Sequence, residues 1–388
     1  MFIGSTHKCG ALLFYSFFMS KHIVFSGNNA WGMWNFRSIL IKHFVDKGFR
    51  VTVSAPYDEV YFQKFEEIGC NTYDIPIDAK GINPVTDLRL ILNYKKLLKE
   101  LNPDLSVTYT IKPNIYASIA AESLGIKYLP VTTGLGYTFL ANGIVPQIAR
   151  MLYKYAFRKA EQVWFLNKDD IATFKAAGLI ADEKIVQLYG EGVDTEYFAP
   201  KPLPTEEQIF LLVGRMLKDK GVVEYVDAAR MLKKKYPNVR FQLLGALWPD
   251  NPAAIAEEEI RTWEREGIAE YLGRTSDVRT YIERAMCVVL PSYREGVPCT
   301  LMEAASMARP LVATDVPGCH EVVVDEYNGY LCEVKNAEDL AAKMEKVILM
   351  SQDERVKMGS NGRQLMIDKF DIKHVLTQYE TAFKNLGI

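Results

Sequence analysis

The chain has no apolar run long enough to span a bilayer. Its most hydrophobic opening stretch, Gly10–Phe18, follows His7 and Lys8 much as a signal core would, but it is too short for a membrane helix and no small-x-small cleavage site follows. Met19-Ser20-Lys21 stands directly before a good strand, so residues 1–18 read as an N-terminal extension, disordered or upstream of a natural start at Met19; a membrane anchor is the other reading. A net charge of −2 supplies no basic excess, and therefore no general reason to expect nucleic acid as a partner. Six cysteines include no CxxC pair and no dense framework, which fits a reducing compartment. There is no DxD and no His/Cys/carboxylate cluster at ligand spacing, so neither a metal nor a cofactor is expected. The glycines after the first strand miss the GxGxxG spacing of a dinucleotide fingerprint.

What is present describes an ordinary globular protein: 388 residues, 49% apolar and 24% charged, too long for one core and with no composition for extended disorder. Strand-like runs at His22–Ser26, Val51–Ala55, Leu105–Tyr109, Tyr128–Thr132 and Val163–Leu166 alternate with helical stretches such as Leu88–Leu101. A second series runs through Ile209–Val213, Arg240–Leu244, Cys287–Leu290, Leu311–Ala313 and Gly329–Val334. Strand and helix alternation predicts a parallel sheet in each series, and Pro200–Pro204 between them reads as a linker. A functional cleft between two α/β domains follows.

Two segments carry the chemistry. After the strand ending at Val213 comes Gly214-Arg215-Met216-Leu217-Lys218-Asp219-Lys220-Gly221, then a helix. A guanidinium and an ammonium converging near a helix N-terminus at the edge of a parallel sheet suit a diphosphate, although a solvated basic turn has the same composition. After Cys287–Leu290 comes Ser292-Tyr293-Arg294-Glu295-Gly296-Val297-Pro298-Cys299, with a helix opening near Thr300-Leu301-Met302-Glu303. Gly296 and Val297 bring backbone N–H groups close to a phosphate or sugar, and Glu303 accepts from ribose hydroxyls in this reading; a helix-terminal carboxylate and a loop charge are the bland alternatives.

With Glu295 and Glu303 eight residues apart and GRxxxxKG preceding them, the chain resembles the family 4 retaining glycosyltransferases of GT-B fold from Lys21 onward. Asn167–Asp170, Gly190–Phe198 and Ala313–Glu321 add to the resemblance. It implies an α/β GT-B architecture: an N-terminal Rossmann-like acceptor domain over 19–200, a C-terminal nucleotide-sugar-binding domain over 201–370, and a C-terminal helix over 371–388 crossing back to the first domain. It also implies that Arg215 and Lys220 bind the donor pyrophosphate and that Glu303 binds the ribose. Glu295 with the Gly296–Cys299 backbone would hold the transferred sugar, and Thr300 and Leu301 would border the phosphates. Catalysis would fall to Glu295, Arg215 and Lys220. The donor implied is a nucleotide diphosphate sugar, UDP by family habit with GDP open, carrying a hexose or N-acetylhexosamine.

One departure concerns the acceptor. Many relatives place a histidine after the strand that reads Leu105–Tyr109 here, whereas this chain has histidines at 7, 22, 43, 320 and 374 alone. Tyr109 and Lys112 are the substitutes considered, and Asn28, Asn29 and Trp31 are further candidate cleft-lining groups; packing, snorkelling and an amide-rich turn explain the same residues. Asp169-Asp170 reads as a cap for the following helix. The 109–116 stretch and Thr133-Gly134-Leu135-Gly136-Tyr137 resemble enzymes that extend lipid-diphosphate-linked glycans, implying a polyprenyl-diphosphate-linked acceptor at the cytoplasmic face of the inner membrane. Basic amphipathic Val145–Lys159 suits an anionic membrane surface, and equally a helix packed on its own domain. A sugar-nucleotide epimerase or hydrolase on the same scaffold, and a non-catalytic sugar-nucleotide-binding subunit, are the alternative functions.

Overall fold

In the computed structural model the described residues are 20–78, 81, 83–135 and 143–388. The extension 1–18, Met19 and the Gly136-Tyr137 pair lie outside them. Strands β1 (His22–Ser26), β2 (Arg50–Ala55), β3 (Asn71–Asp74), β4 (Leu105–Tyr109), β5 (Lys127–Thr132), β6 (Val163–Phe165) and β7 (Ile185–Gln187) form a parallel sheet in the order β3-β2-β1-β4-β5-β6-β7. A second parallel sheet takes β8 (Ile209–Val213), β9 (Arg240–Leu244), β10 (Glu270–Tyr271), β11 (Cys287–Leu290), β12 (Leu311–Thr314) and β13 (Gly329–Cys332) in the order β10-β9-β8-β11-β12-β13. Both are doubly wound sheets whose strand order reverses once, between β1 and β4 and between β8 and β11.

Central strands such as Ile209–Val213 are buried at every residue, as expected where helices cover both faces of a parallel sheet. Polar residues in β1 are buried only with partners: His22 Nε2 lies 2.8 Å from Thr52 Oγ1, and Ser26 Oγ lies 2.7 Å from Ser54 Oγ. The edge strands β3, β7 and β10 were not foreseen, because they are short and read Asn-Thr-Tyr-Asp, Ile-Val-Gln and Glu-Tyr without an apolar run. The helix expected from Leu88 begins at Pro84, where Asn83 accepts from the Val85 N–H at 2.9 Å and proline occupies the first turn. In the linker, buried Arg309 donates to the carbonyls of Lys201 and Pro202, so this segment is fastened to the second half.

Two stretches of chain join the halves and are bonded to each other. Val193 N donates to Phe370 O and Ile372 N donates to Val193 O, both at 2.9 Å. The final helix, Ile372–Asn385, then packs on the first sheet and its first helix, Ala30–Asp46. Its Tyr379 ring meets Trp164 at 4.6 Å, Phe383 meets Phe44 at 4.6 Å, and Glu380 pairs with His43 at 2.6 Å and Lys47 at 2.8 Å. Each such aromatic side chain stabilises the docked helix by about 1.5–3 kcal/mol when fully buried.

At this junction Arg37 forms an ion pair with Glu191, the two only 5% and 8% exposed. The guanidinium lies 4.0 Å from the centroid of Tyr109, whose hydroxyl meets that of Tyr379 at 2.9 Å. Burial raises the Glu191 pKa and the Arg37 charge acts against that rise. Glu191→Ala leaves a buried cation alone and is expected to destabilise the protein by about 3–5 kcal/mol, while Arg37→Met combined with Glu191→Leu costs much less. Thermal melting of parent, single and double variants checks this; equal losses in Glu191→Ala and the double variant would show that the loss does not come from a stranded charge.

Candidate active site

In open α/β sheets the place for a ligand is the crevice where strand order reverses, at the carboxyl ends of the strands. The two segments singled out from sequence leave β8 and β11, the strands flanking that reversal in the second sheet. Their loops are tied together by Tyr293 N donating to Asp219 O at 2.9 Å. Gly221 has φ +70, and a Cβ there would run into the Pro291 backbone, so this approach requires glycine.

Lys220 Nζ donates to Glu295 Oε1, and Ser292 Oγ donates to the same oxygen at 2.6 Å. Both members of the ion pair are largely buried, 16% and 13% exposed. Arg215 is exposed beside them in sequence, its guanidinium 5.1 Å from the Trp248 ring centroid. The helix Cys299–Ser306 opens after Pro298 without a side-chain cap. Val297 and Leu301 have buried side chains, so only their backbones are offered to a ligand. Burial pushes the Glu303 carboxyl up to about 7, with the charge of Asp277 adding to the effect. Burial raises the Cys299 thiol, with the charges of Glu303, Glu191 and Glu295 adding and that of Arg37 opposing.

The first half reaches this loop. Asn167 Nδ2 donates to Gly296 O at 2.8 Å, Arg294 pairs with fully buried Asp170, and a Cβ on Gly296 would strike the Thr133 carbonyl. Lys168 N donates to Glu321 Oε1 at 3.1 Å. His320 lies between Asp169 at 2.9 Å and Asp315 at 2.8 Å, one carboxylate on each ring nitrogen. Carboxylates only accept, so both nitrogens must donate and the ring is an imidazolium. Burial opposes that charge, but the bonds and charges of Asp169 and Asp315 outweigh it and raise the His320 pKa. The cap of the helix Lys168–Ala176 is Asn167, accepting from Asp170 N at 2.8 Å; Asp169 and Asp170, expected as the cap, instead face the second half.

Other anticipated groups sit around the reversal point of the first sheet. Asn29 caps the helix Ala30–Asp46 by accepting from Gly32 N at 2.6 Å and donates to Asn28 at 3.0 Å. Trp31 is exposed and packs edge-on against Phe36 at 5.7 Å. Tyr109 presents no exposed atom, its hydroxyl being engaged by Tyr379, and Lys112 is paired with Asp87 at 2.7 Å.

Comparison with known proteins agrees with this geometry. The family described as glycosyl transferases group 1 matches residues 193–365, and the one described as glycosyl transferase 4-like matches residues 22–167. An N,N'-diacetylbacillosaminyl-diphospho-undecaprenol alpha-1,3-N-acetylgalactosaminyltransferase of Campylobacter jejuni is 30% identical over 377 residues, covering 91% of this chain and 97% of that protein. The chain belongs to the family 4 glycosyltransferases. A UDP-Gal:alpha-D-GlcNAc-diphosphoundecaprenol alpha-1,3-galactosyltransferase of Escherichia coli is also similar, 22% identical over 77% of this chain and 79% of its own. Among solved structures, Anabaena HepE in complex with UDP-glucose superposes with a TM-score of 0.77 at 19% identity, covering 94% of this chain and 99% of HepE. The fold of this hexosyltransferase is GT-B.

Sequence reasoning did not single out Arg37, Glu191, Asp170 or Arg294 as site residues. Arg294 adjoins Glu295 and Glu191 sits between two glycines, which are the available signals; their partners lie 124 and 154 residues away, so spacing does not connect them. The elevated Glu303 carboxyl has a measurable consequence. Its folded pKa near 7 exceeds the ordinary 4.5, so the folded state binds the proton more tightly and stability falls as pH rises through that interval. Glu303→Gln removes this cost; its melting temperature is expected to exceed the parent's at about pH 8 but not at about pH 4. Equal shifts at both would contradict a proton held in the folded state.

Proposed function

We propose that this glycosyltransferase binds a nucleotide diphosphate sugar at the β8 and β11 loops and transfers a hexose or N-acetylhexosamine, with retention, to a lipid-diphosphate-linked glycan. The observation that carries the reading is the convergence of Lys220, Glu295 and Ser292 beside the uncapped helix Cys299–Ser306 at the sheet's reversal point. Arg215 and Lys220 would bind the diphosphate, Lys220 exchanging its bond to Glu295 for one to phosphate. The backbone of Gly296, Val297, Pro298, Cys299, Thr300 and Leu301 would border phosphates and sugar, and Glu303 would accept from the ribose. In the transfer the bond from the anomeric carbon to the diphosphate oxygen breaks, the acceptor oxygen bonds to that carbon on the same face, and the acceptor proton passes to the departing diphosphate. Cations and helix N–H groups stabilise the charge that develops there. UDP is the nucleotide favoured by the printed name of the Escherichia coli relative and by the UDP complexes of HepE. The α linkages and undecaprenyl-diphosphate substrates in both relatives' names support retention and the acceptor class.

Assay of purified protein with UDP- and GDP-sugars and polyprenyl-diphosphate-linked glycans is expected to give an α-linked product, lost in Glu303→Ala. Donor hydrolysis or epimerisation without acceptor would sink the transferase substrate assignment, and transfer from GDP-sugars alone would overturn UDP.

With such an acceptor the enzyme would work at the cytoplasmic face of the inner membrane. Among the described residues, no helix is long and apolar enough to cross a membrane. The helix Ile144–Phe157 leaves Ile144, Ile148, Met151 and Tyr155 exposed on one stripe, Ile144 at 75% and Met151 at 63%. Lys154 is exposed beside them, whereas Arg158 and Lys159 are tied to Glu122. A lipid surface suits this stripe. Vesicles containing anionic lipid are expected to sediment the parent and to release a variant with Ile148→Ser and Met151→Ser; equal binding would remove this helix from the membrane contact.

A further inference from the structure

The three residues Arg294, Glu295 and Gly296 are held from opposite sides. The Glu295 side chain belongs to the second half through Lys220 and Ser292, and its backbone N–H donates to Pro317 O at 3.2 Å. Its two neighbours are gripped by the first half: Arg294 by the Asp170 carboxylate, and the Gly296 carbonyl by Asn167 Nδ2. Asn167 also donates to Asp170 Oδ2 at 3.2 Å, so amide and carboxylate form one unit at the head of the helix Lys168–Ala176. Asp170 is fully buried and Arg294 only 14% exposed. A charge pair removed from water to this degree is costly unless its geometry is fixed, and breaking it strands a buried charge. The first half therefore has a rigid hold on the residues flanking Glu295, although none of its hydrogen bonds among the described residues reaches the Lys220 or Ser292 side chain.

We infer that Asp170 is a positioning residue for sugar transfer: through Arg294, and together with Asn167, it sets Glu295 in place only when the two halves are closed on each other. The inference rests on the proposed reading of Glu295 as the group that holds the transferred sugar. Nucleotide binding, which that reading assigns to Arg215, Lys220 and Glu303 in the second half, does not require the grip. Asp170 thus separates two quantities that a general loss of structure would move together. Displacing a reacting group by about 1 Å costs on the order of 10²-fold in rate.

The test uses Asp170→Asn, which keeps the shape and loses the charge, with Arg294→Lys and Arg294→Ala as a second pair. Three quantities are measured in the full chain: UDP affinity by calorimetry, kcat and KM for transfer, and amide hydrogen exchange over residues 292–298 in the ligand-free protein. Asp170→Asn is expected to lower kcat by at least about tenfold, to leave UDP affinity within about twofold, and to speed exchange over 292–298 but not over 214–221. Arg294→Lys, retaining the charge, is expected to recover part of the rate lost in Arg294→Ala. Unchanged kcat, a parallel loss of UDP affinity, or unchanged exchange over 292–298 would each overturn the inference. If the parent binds no UDP, the proposed donor fails instead, and the exchange measurement still decides the role of Asp170.

Discussion

The arrangement of this enzyme depends on one buried charge pair, Arg37 with Glu191, at the place where the chain passes between its halves. Three otherwise separate segments meet there: the first helix supplies Arg37, the outgoing crossing supplies Glu191, and the C-terminal helix supplies Tyr379, which reaches Arg37 through Tyr109. An ion pair in this setting contributes little net stability compared with an apolar replacement, yet it tolerates few alternative geometries because either charge alone is strongly unfavourable. Its effect is therefore to fix the outgoing crossing and the returning helix against the first sheet. Asn167 against Gly296 and Asp170 against Arg294 are separate contacts that join the first half to the loop after β11.

The candidate site carries a related conflict between stability and use. Glu303 is held where burial disfavours its charge, and Lys220 is paired with Glu295. Neither arrangement is what a folded protein needs for itself. Under the proposed function, a ligand bearing hydroxyls and negative charge would complete both groups, and a buried carboxyl with a raised pKa is a frequent mark of such sites. The charges of the two halves also differ in kind. At the loop after β11 the second half supplies Lys220, Arg294 and Glu295, whereas the first half supplies the amide of Asn167, a buried Asp170 and Asp169, the partner of His320.

Much of the fold was legible from residues alone, and the exceptions have physical causes. β4, β8, β9 and β11 have the ends that their apolar runs suggest, since such runs are buried on both faces. β3, β7 and β10 lie at sheet edges, where polar residues are tolerated and no periodic signal forms. The start of the helix Pro84–Leu101 was hidden because Asn83 and Pro84 act through capping rather than through an apolar stripe. In the site, Lys220 and Glu295 were legible because glycines and charges cluster in each loop; that they touch was not.

Sequence by itself determined the class of this protein: two parallel α/β units, a diphosphate-suited basic turn in the second, and a paired-carboxylate segment after it, because strand burial and loop chemistry are local properties written in consecutive residues. Tertiary structure alone decided which charges are partners. Arg37 meets Glu191, Asp170 meets Arg294, and Tyr109 spends its hydroxyl on Tyr379, because those contacts join segments brought together only when two sheets and a returning helix are packed. The cost of burying an unpaired charge selects such partners across any sequence distance, and no spacing rule records them.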